Sequence, residues 1–405
     1  MTTPALATTP AALRTPGLRL GTTASLWLTV SLVASFLAAS SAPSPLYALY
    51  REAWGFSPLA LTVIFSSYAF ALLAALLMFG ALSDHLGRRT VIVASLFIEL
   101  LSIALFWSAE SAGWLLAARI VQGFATGIAT SALSATLLDL SPARGALFNS
   151  VAPMFGMAAG ALGASALVQF APAPTHLVFD VLLAILAAQM LAALFLPDTV
   201  TRRPGVWQSL RPRIAIPAAA RATLWRILPL NTASWALGGF YLSLGPTLAK
   251  LVTGTSAPMT GGALIATLVL AGAAAIGWVR LRPAPAVLTG SALALVLGLS
   301  LTLVGVHAHS GLAFFGGTLL AGLGFGAGFN GAVRSLVPLA TAHERAGLMA
   351  GFFALSYLAF SVPAIVAGLA TGLFGLHATT LVYGGLLVAM AAVALFASLR
   401  SATAR

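Results

Sequence analysis

Five polar side chains within one apolar segment are spaced to act together. Arg119, Gln122, Thr126, Thr130 and Ser134 recur every three or four positions, with Gly123 beside them and mostly Leu, Ile and Ala between. On a helix that spacing places them along one face. A guanidinium there could bind an anion, or pair with a neighbouring carbonyl or acid. A charge at the middle of a bilayer costs roughly 2.5–3.5 kcal/mol on insertion scales, which makes Arg119 a functional candidate. Glu99 lies near the middle of the preceding apolar run. It could carry a proton, neutralise Arg119 from an adjacent helix, or stay protonated against lipid or protein without a role. Asp180 is the third candidate for proton coupling, although it lies only about a turn from the end of its own apolar run, where an interfacial role is favoured. Asn330 and Arg334 are four apart and share a face. Arg334 could instead snorkel to headgroups. Asn231 and Trp235 complete the polar and aromatic candidates for a substrate cavity.

A second cluster is GALSDHLGRR, positions 80–89. It places Asp84, Arg88 and Arg89 between glycines and between two long apolar runs. Such a hinge is costly anywhere except at a membrane surface.

The elements that must hold these residues follow from composition. The chain has 405 residues, 60% hydrophobic and 7% charged, with a mean hydropathy of +1.01. Soluble domains carry about 25% charge, so the solvent here is the bilayer. With no cysteine, disulfides and thiol chemistry are excluded. The net charge of +12 is spread over many short loops, and no nucleic-acid motif is present. His176, His307, His309 and His377 show no metal-ligand spacing, and no cofactor or nucleotide loop is found.

A membrane helix needs about 20 apolar residues. That length predicts twelve spans: 23–45, 58–82, 90–109, 112–138, 145–170, 175–196, 227–249, 259–280, 285–306, 311–338, 346–371 and 377–398. The organisation is then a cytoplasmic tail at 1–22, a six-helix bundle at 23–196, a basic linker at 197–226, a second bundle at 227–398 and a tail at 399–405. The stretch 24–42 after Arg14 and Arg19 also has the look of a secretory signal, but the helix count is even and balanced only if it stays. Arg14, Arg19, Arg88, Arg89, Arg144, six linker arginines, Arg280, Arg282, Arg345, Arg400 and Arg405 fall on one side; only Arg51 and Lys250 fall on the other. The positive-inside rule makes the rich side, with both termini, cytoplasmic. A shift of 201 positions sets Gly123-Phe124 on Gly324-Phe325, Gly127 on Gly328, Arg144 on Arg345 and Leu147 on Leu348. Duplicated halves of this kind mark transporters with a midplane site.

The motifs resemble those of the major facilitator superfamily. GALSDHLGRR matches its signature between the second and third helices at Gly80, Leu82, Asp84, Gly87, Arg88 and Arg89, with His85 replacing the usual basic residue. ARIVQG, with Arg119, Gln122 and Gly123, is similar to the second motif, and LPDTV at 196–200 to the segment that closes the sixth helix. The resemblance implies an all-α membrane protein of twelve helices in two pseudo-symmetric bundles around a central cavity, usually monomeric. It implies that the fourth helix lines the cavity and the third is peripheral. The first motif would latch the cytoplasmic gate, with Asp84 accepting from a helix N-terminus of the other half and Arg144 as a partner by loop position. Two departures stand out. Ala161 replaces the helix-five proline of drug antiporters, and the second-half counterpart of the first motif is reduced to WVRLRP at 278–283, without an acid.

The leading expectation is a proton-coupled exporter of a small neutral or anionic amphiphile in the inner membrane. A proton-coupled importer of an organic acid or sugar is the alternative. A polytopic enzyme would need a convergent nucleophile, acid/base pair or metal cluster, and none is found.

Overall fold

The computed structural model describes residues 19–403 except 213 and 342. Residues 1–18 of the expected tail at 1–22, residues 404–405 of that at 399–405, and with them Arg14 and Arg405, lie outside the described residues, as does Arg213. Every regular element described is helical. The chain enters α1 (Thr22–Ser41), bends at Ala42 and continues as α2 (Pro43–Trp54). It then forms α3 (Pro58–Phe79), the short α4 (Leu82–Leu86), α5 (Arg88–Trp107), α6 (Ala112–Leu140), α7 (Pro142–Phe170) and α8 (Pro174–Ala193). After a connecting segment with one helical turn, α9 (Val206–Ser209), come α10 (Ala218–Ser243), α11 (Gly245–Thr253), α12 (Pro258–Val279), α13 (Ala284–His307), α14 (Gly311–Leu336), α15 (Arg345–Phe374) and α16 (Leu376–Thr403).

Eleven of these units are long and apolar enough to cross a membrane, counting α1 and α2 as one of 33 residues. The twelfth expected span, 227–249, is occupied by α10 and α11. Helix α10 has the length, at 26 residues, but begins nine positions early and so takes in Arg221 and Arg226 from the expected linker. Both arginines are exposed on its first three turns, whereas every residue from Ala236 to Ser243 is buried. Helix α16 likewise runs through the first residues of the expected tail.

Breaks occur at matching places in the two halves. Proline has no N–H to donate to the carbonyl four residues back, so a helix bends or breaks there. Pro43 and Pro45 sit where α1 passes into α2. Pro246 sits where α10 passes into α11, and the 201-residue shift carries Pro45 onto it.

Packing follows the same repeat. In the first half α1 packs on α7, α3 on α6, and α5 on both α6 and α8. In the second, α10 packs on α15, α12 on α14, and α13 on both α14 and α16. The halves meet through α3 against α15 and α7 against α12. Glycines permit the closest crossings, as expected in lipid, where helix association depends on tight packing. A Cβ at Gly156 would run into the backbone of Ala34, and one at Gly160 into Ala38 and Ser41. Gly163, on the same helix, has open space beside it.

This contrast is testable. Gly156→Val forces α1 from α7 and should cost about 1–3 kcal/mol, as overpacking does. Gly163→Ala should leave thermal unfolding in detergent unchanged or slightly improved.

Candidate functional site

Arg119 is the largest fully buried side chain of the described residues. Its solvation is assembled from four elements. Helix α6 supplies Gln122, one turn on, whose Oε1 accepts from Arg119 Nη1 at 2.7 Å. The bend between α1 and α2 supplies carbonyls. Pro43 cannot donate to Ala39, and that carbonyl instead accepts from Gln122 Nε2 at 3.1 Å; the neighbouring Ser40 carbonyl accepts from Arg119 Nη1 at 2.8 Å. Tyr47 on α2 and Phe65 and Tyr68 on α3 supply ring faces, with centroids 5.8, 5.5 and 4.9 Å from the guanidinium carbon. Rings at this range attract a cation, the more so when it is desolvated.

Glu99 on α5 has no exposed surface and turns toward α6. Its Oε1 accepts from Gln122 Nε2 at 3.2 Å. Acid and base are therefore joined through an amide: Gln122 receives from Arg119 and donates to Glu99. Glu99 faces protein, which removes the lipid-facing possibility. Glu99 Oε2, Arg119 Nε and the Ser44 hydroxyl are buried without a hydrogen-bond partner. The cluster thus holds unused donors and acceptors in one place.

The same rings form part of the contact between the halves. Phe65 meets Phe360 on α15 at 5.2 Å, and Ser66 Oγ donates to the Ser361 carbonyl at 3.2 Å. Phe360 in turn lies 6.0 Å from Trp235, which also meets Tyr357 at 5.0 Å and Phe329 at 5.9 Å. Further out, Thr62 abuts Gly368, and Glu52 faces Lys250 at 3.8 Å. That pair is well exposed, so its contribution is small. These contacts close the bundle at the end away from GALSDHLGRR.

The other expected residues lie elsewhere. Thr126 and Thr130 donate to their own helix at 2.9 and 2.7 Å, and Ser134 reaches Asn149 on α7 at 2.8 Å. Asn231 Nδ2 donates to Ser356 Oγ at 2.9 Å, tying α10 to α15. Asn330 is half-buried with Oδ1 unpartnered. Arg334 donates to the carbonyls of Val279 and Arg282 at 3.3 and 2.6 Å, so it caps the end of α12. Asp180 is exposed on α8, with no hydrogen bond or ion pair among the described residues. His309 and His307 gather around His377 with ring centroids 6.0 and 6.5 Å away, but no group of three His, Asp or Glu among the described residues is spaced to hold a metal.

The hinge is held from within the first half. Asp84 Oδ1 pairs with Arg88 Nη1 at 2.6 Å, rather than with Arg144. Arg88 also reaches Ser83 Oγ at 2.6 Å and Asp139 Oδ2 at 3.2 Å, and Thr199 donates to the same Asp139 oxygen at 2.7 Å. Among the described residues the Asp84 carboxylate meets Arg88 and no helix N-terminus of the other half. The N-terminus of α5 beside it is capped by another acid, Asp198, whose Oδ1 accepts from the Arg88 backbone N–H at 2.7 Å across 110 positions. Gly87 precedes this cap with φ of 96°, and a Cβ there would strike the Asp198 carboxylate. Gly80 lies against the Leu76 carbonyl, and Arg89 Nη1 donates to the Leu194 carbonyl at 3.3 Å. Asp139, Asp198 and the three rings were missed from sequence. The two acids were within reach of a charge-matching argument, because the chain has only 8 acids for 20 basic residues.

Asp198→Ala should cost about 0.5–2 kcal/mol, the usual value of a lost cap. Adding Gly87→Ala removes no further contact but strains the backbone, at about 1–3 kcal/mol more. Thermal unfolding of the single and double variants separates the two; equal values would show that the glycine answers only to the carboxylate.

The family model of the Major Facilitator Superfamily matches residues 28–357. No curated protein matches the chain. Among solved structures, a mutant of the nucleoside transporter NupG superposes with a TM-score of 0.72 at 13% identity, covering 92% of this chain and 99% of that one. The human organic anion transporter MFSD10 (TETRAN) gives 0.68 at 19%, covering 93% and 100%. A bacterial homolog of the human lysosomal transporter Spinster, in an inward-facing and occupied conformation, gives 0.68 at 14%, covering 93% and 96%. At these identities the structures speak for the fold. The family match covers most of the chain, and the regular elements described are all helical, eleven of them long and apolar enough to cross a membrane: this protein belongs to the Major Facilitator Superfamily and is a multi-pass membrane transporter.

Proposed function

We propose that the protein is a monomeric, proton-coupled transporter that exports a small neutral amphiphile across the inner membrane by alternating access; an anionic substrate belongs with the uptake reading. The two bundles, 23–196 and 227–398, rock about the substrate, and the basic end with the 197–226 linker faces the cytoplasm. The observation that carries this reading is the buried chain from Glu99 through Gln122 to Arg119. A titratable carboxyl linked by one amide to a fixed cation can exchange one proton at little structural cost. The rings around Arg119 are also the rings that close one end of the bundle, so the charge state of the cluster and the opening of that end are mechanically connected.

Substrate charge then sets the sign of coupling. A neutral amphiphile that stacks on the rings and donates to an ionised Glu99 competes with the proton. Competition gives antiport, and an inward proton gradient drives export. An anion beside Arg119 and a proton on Glu99 reinforce each other, and by reciprocity each favours binding of the other. That sign gives symport. The unused Arg119 Nε is the specific reason to keep uptake of an organic acid as the second reading. The resemblance to an organic anion transporter is compatible with it.

Arg119→Ala should abolish transport while leaving membrane insertion intact, because it removes the cation and orphans Gln122. Normal transport by this variant in everted vesicles would overturn the assignment. Glu99→Gln should keep substrate exchange in proteoliposomes but lose substrate-dependent dissipation of a pH gradient; an unchanged proton flux would remove Glu99 from the mechanism. Direction is read by growth: overexpression lowers susceptibility to a toxic compound if the protein exports, and permits growth on a new carbon source if it imports.

A further inference from the structure

A cleft of about 310 Å³ opens at the hinge end, between the first turn of α1, the end of α6 and the start of α7. It is distinct from the Arg119 cluster, none of whose residues line it. Its polar side is Arg144 with the side chains of Thr22, Thr23 and Ser141; its apolar side includes Trp27 and Phe148, whose rings meet at 5.3 Å. No carboxylate lines it.

Arg144 carries no ion pair or hydrogen bond among the described residues. Its repeat partner shows that this is not forced by position. Arg345 opens α15 as Arg144 opens α7, and its Nε donates to the Ala340 carbonyl at 3.3 Å. Near Arg144, Arg88 is committed to Asp84 and Asp139, and Arg89 to the Leu194 carbonyl. Arg144 alone of these presents its full fork of donors to a cavity. Trp27 is 57% exposed there. An exposed cation without a partner among the described residues, three hydroxyls and two rings in a concave site match a ligand with one anionic end and a compact apolar body. The volume is at the low end of ligand pockets, roughly 300–1,000 Å³, which excludes a whole diacyl lipid but admits a headgroup.

We propose that this cleft is a binding site for a carboxylated or phosphorylated amphiphile, held by Arg144 and seated on Trp27 and Phe148. The chemistry is shared by a free anionic amphiphile and by the headgroup of an anionic phospholipid. The inference stands whether the transporter exports or imports.

The test uses the full-length protein in phosphatidylcholine nanodiscs with octyl phosphate as the probe. Tryptophan fluorescence should change saturably, and Trp27→Phe should remove the change. Arg144→Gln should weaken binding by about tenfold or more, equivalent to about 1.4 kcal/mol, while octyl glucoside should not compete. Thr23→Val, a milder change, should weaken binding less and guards against a misfolded arginine variant. Phosphatidylglycerol in the disc should compete with octyl phosphate if the occupant is a lipid headgroup, and leave it unaffected if the occupant is a free amphiphile; either result supports the site. Equal binding by wild type and Arg144→Gln, or a signal that rises linearly as in empty discs, would overturn it.

Discussion

A guanidinium with no exposed surface must find its solvent within the protein, and much of the first half is arranged to provide it. The bend after α1 is the source. Pro43 withholds its N–H from Ala39, whose carbonyl turns to Gln122, and the neighbouring Ser40 carbonyl turns to Arg119. Break and charge thus satisfy each other. A straight first helix would leave Arg119 short of acceptors; an apolar residue at 119 would leave that turn of α1 short of donors. Fixing Arg119 fixes Gln122, which holds Glu99, and the ring faces over the guanidinium place α2 and α3. Burying such a cluster earns little stability in its own right, because desolvation offsets much of the attraction. Its retention argues for a task.

The two halves share an architecture and divide the labour. Both break their first helix at equivalent positions, and both cross helices on glycine. The first half has the buried charges and the braced hinge. The second contributes aromatic bulk through Trp235, Phe329, Tyr357 and Phe360 and uses Arg334 and Arg345 on helix ends. One half is fitted to sense charge, and the other supplies the surface against which it closes.

Much of this was legible in the sequence, for reasons that differ by residue. Arg119 and Glu99 stand out because a charge in an apolar run has no cheap explanation. The repeat was visible because Gly123, Gly127 and Arg144 recur without a gap. The rings around Arg119 were not legible, since Phe65 and Tyr68 read alike whether they face lipid, core or cation. Asp198 was hidden by distance: its cap reaches back 110 positions, which local pattern does not register. Helices α2 and α11 were missed because they mix polar and apolar residues beyond a proline, where a span was expected to stop. The early start of α10 was masked by Arg221 and Arg226, which read as linker.

The polarity of α10 has a consequence for how the chain is made. A helix inserted by the translocation machinery is judged first against lipid, and past its two exposed arginines α10 still offers an asparagine and a proline. The surfaces that bury it belong in large part to α15 and α16, which follow it in the chain. Its natural shelter therefore does not exist when it leaves the ribosome. The second half is best pictured as maturing from its C-terminal end inward, with α10 settling late, so that assembly of the central wall becomes a checkpoint on the completeness of the whole protein.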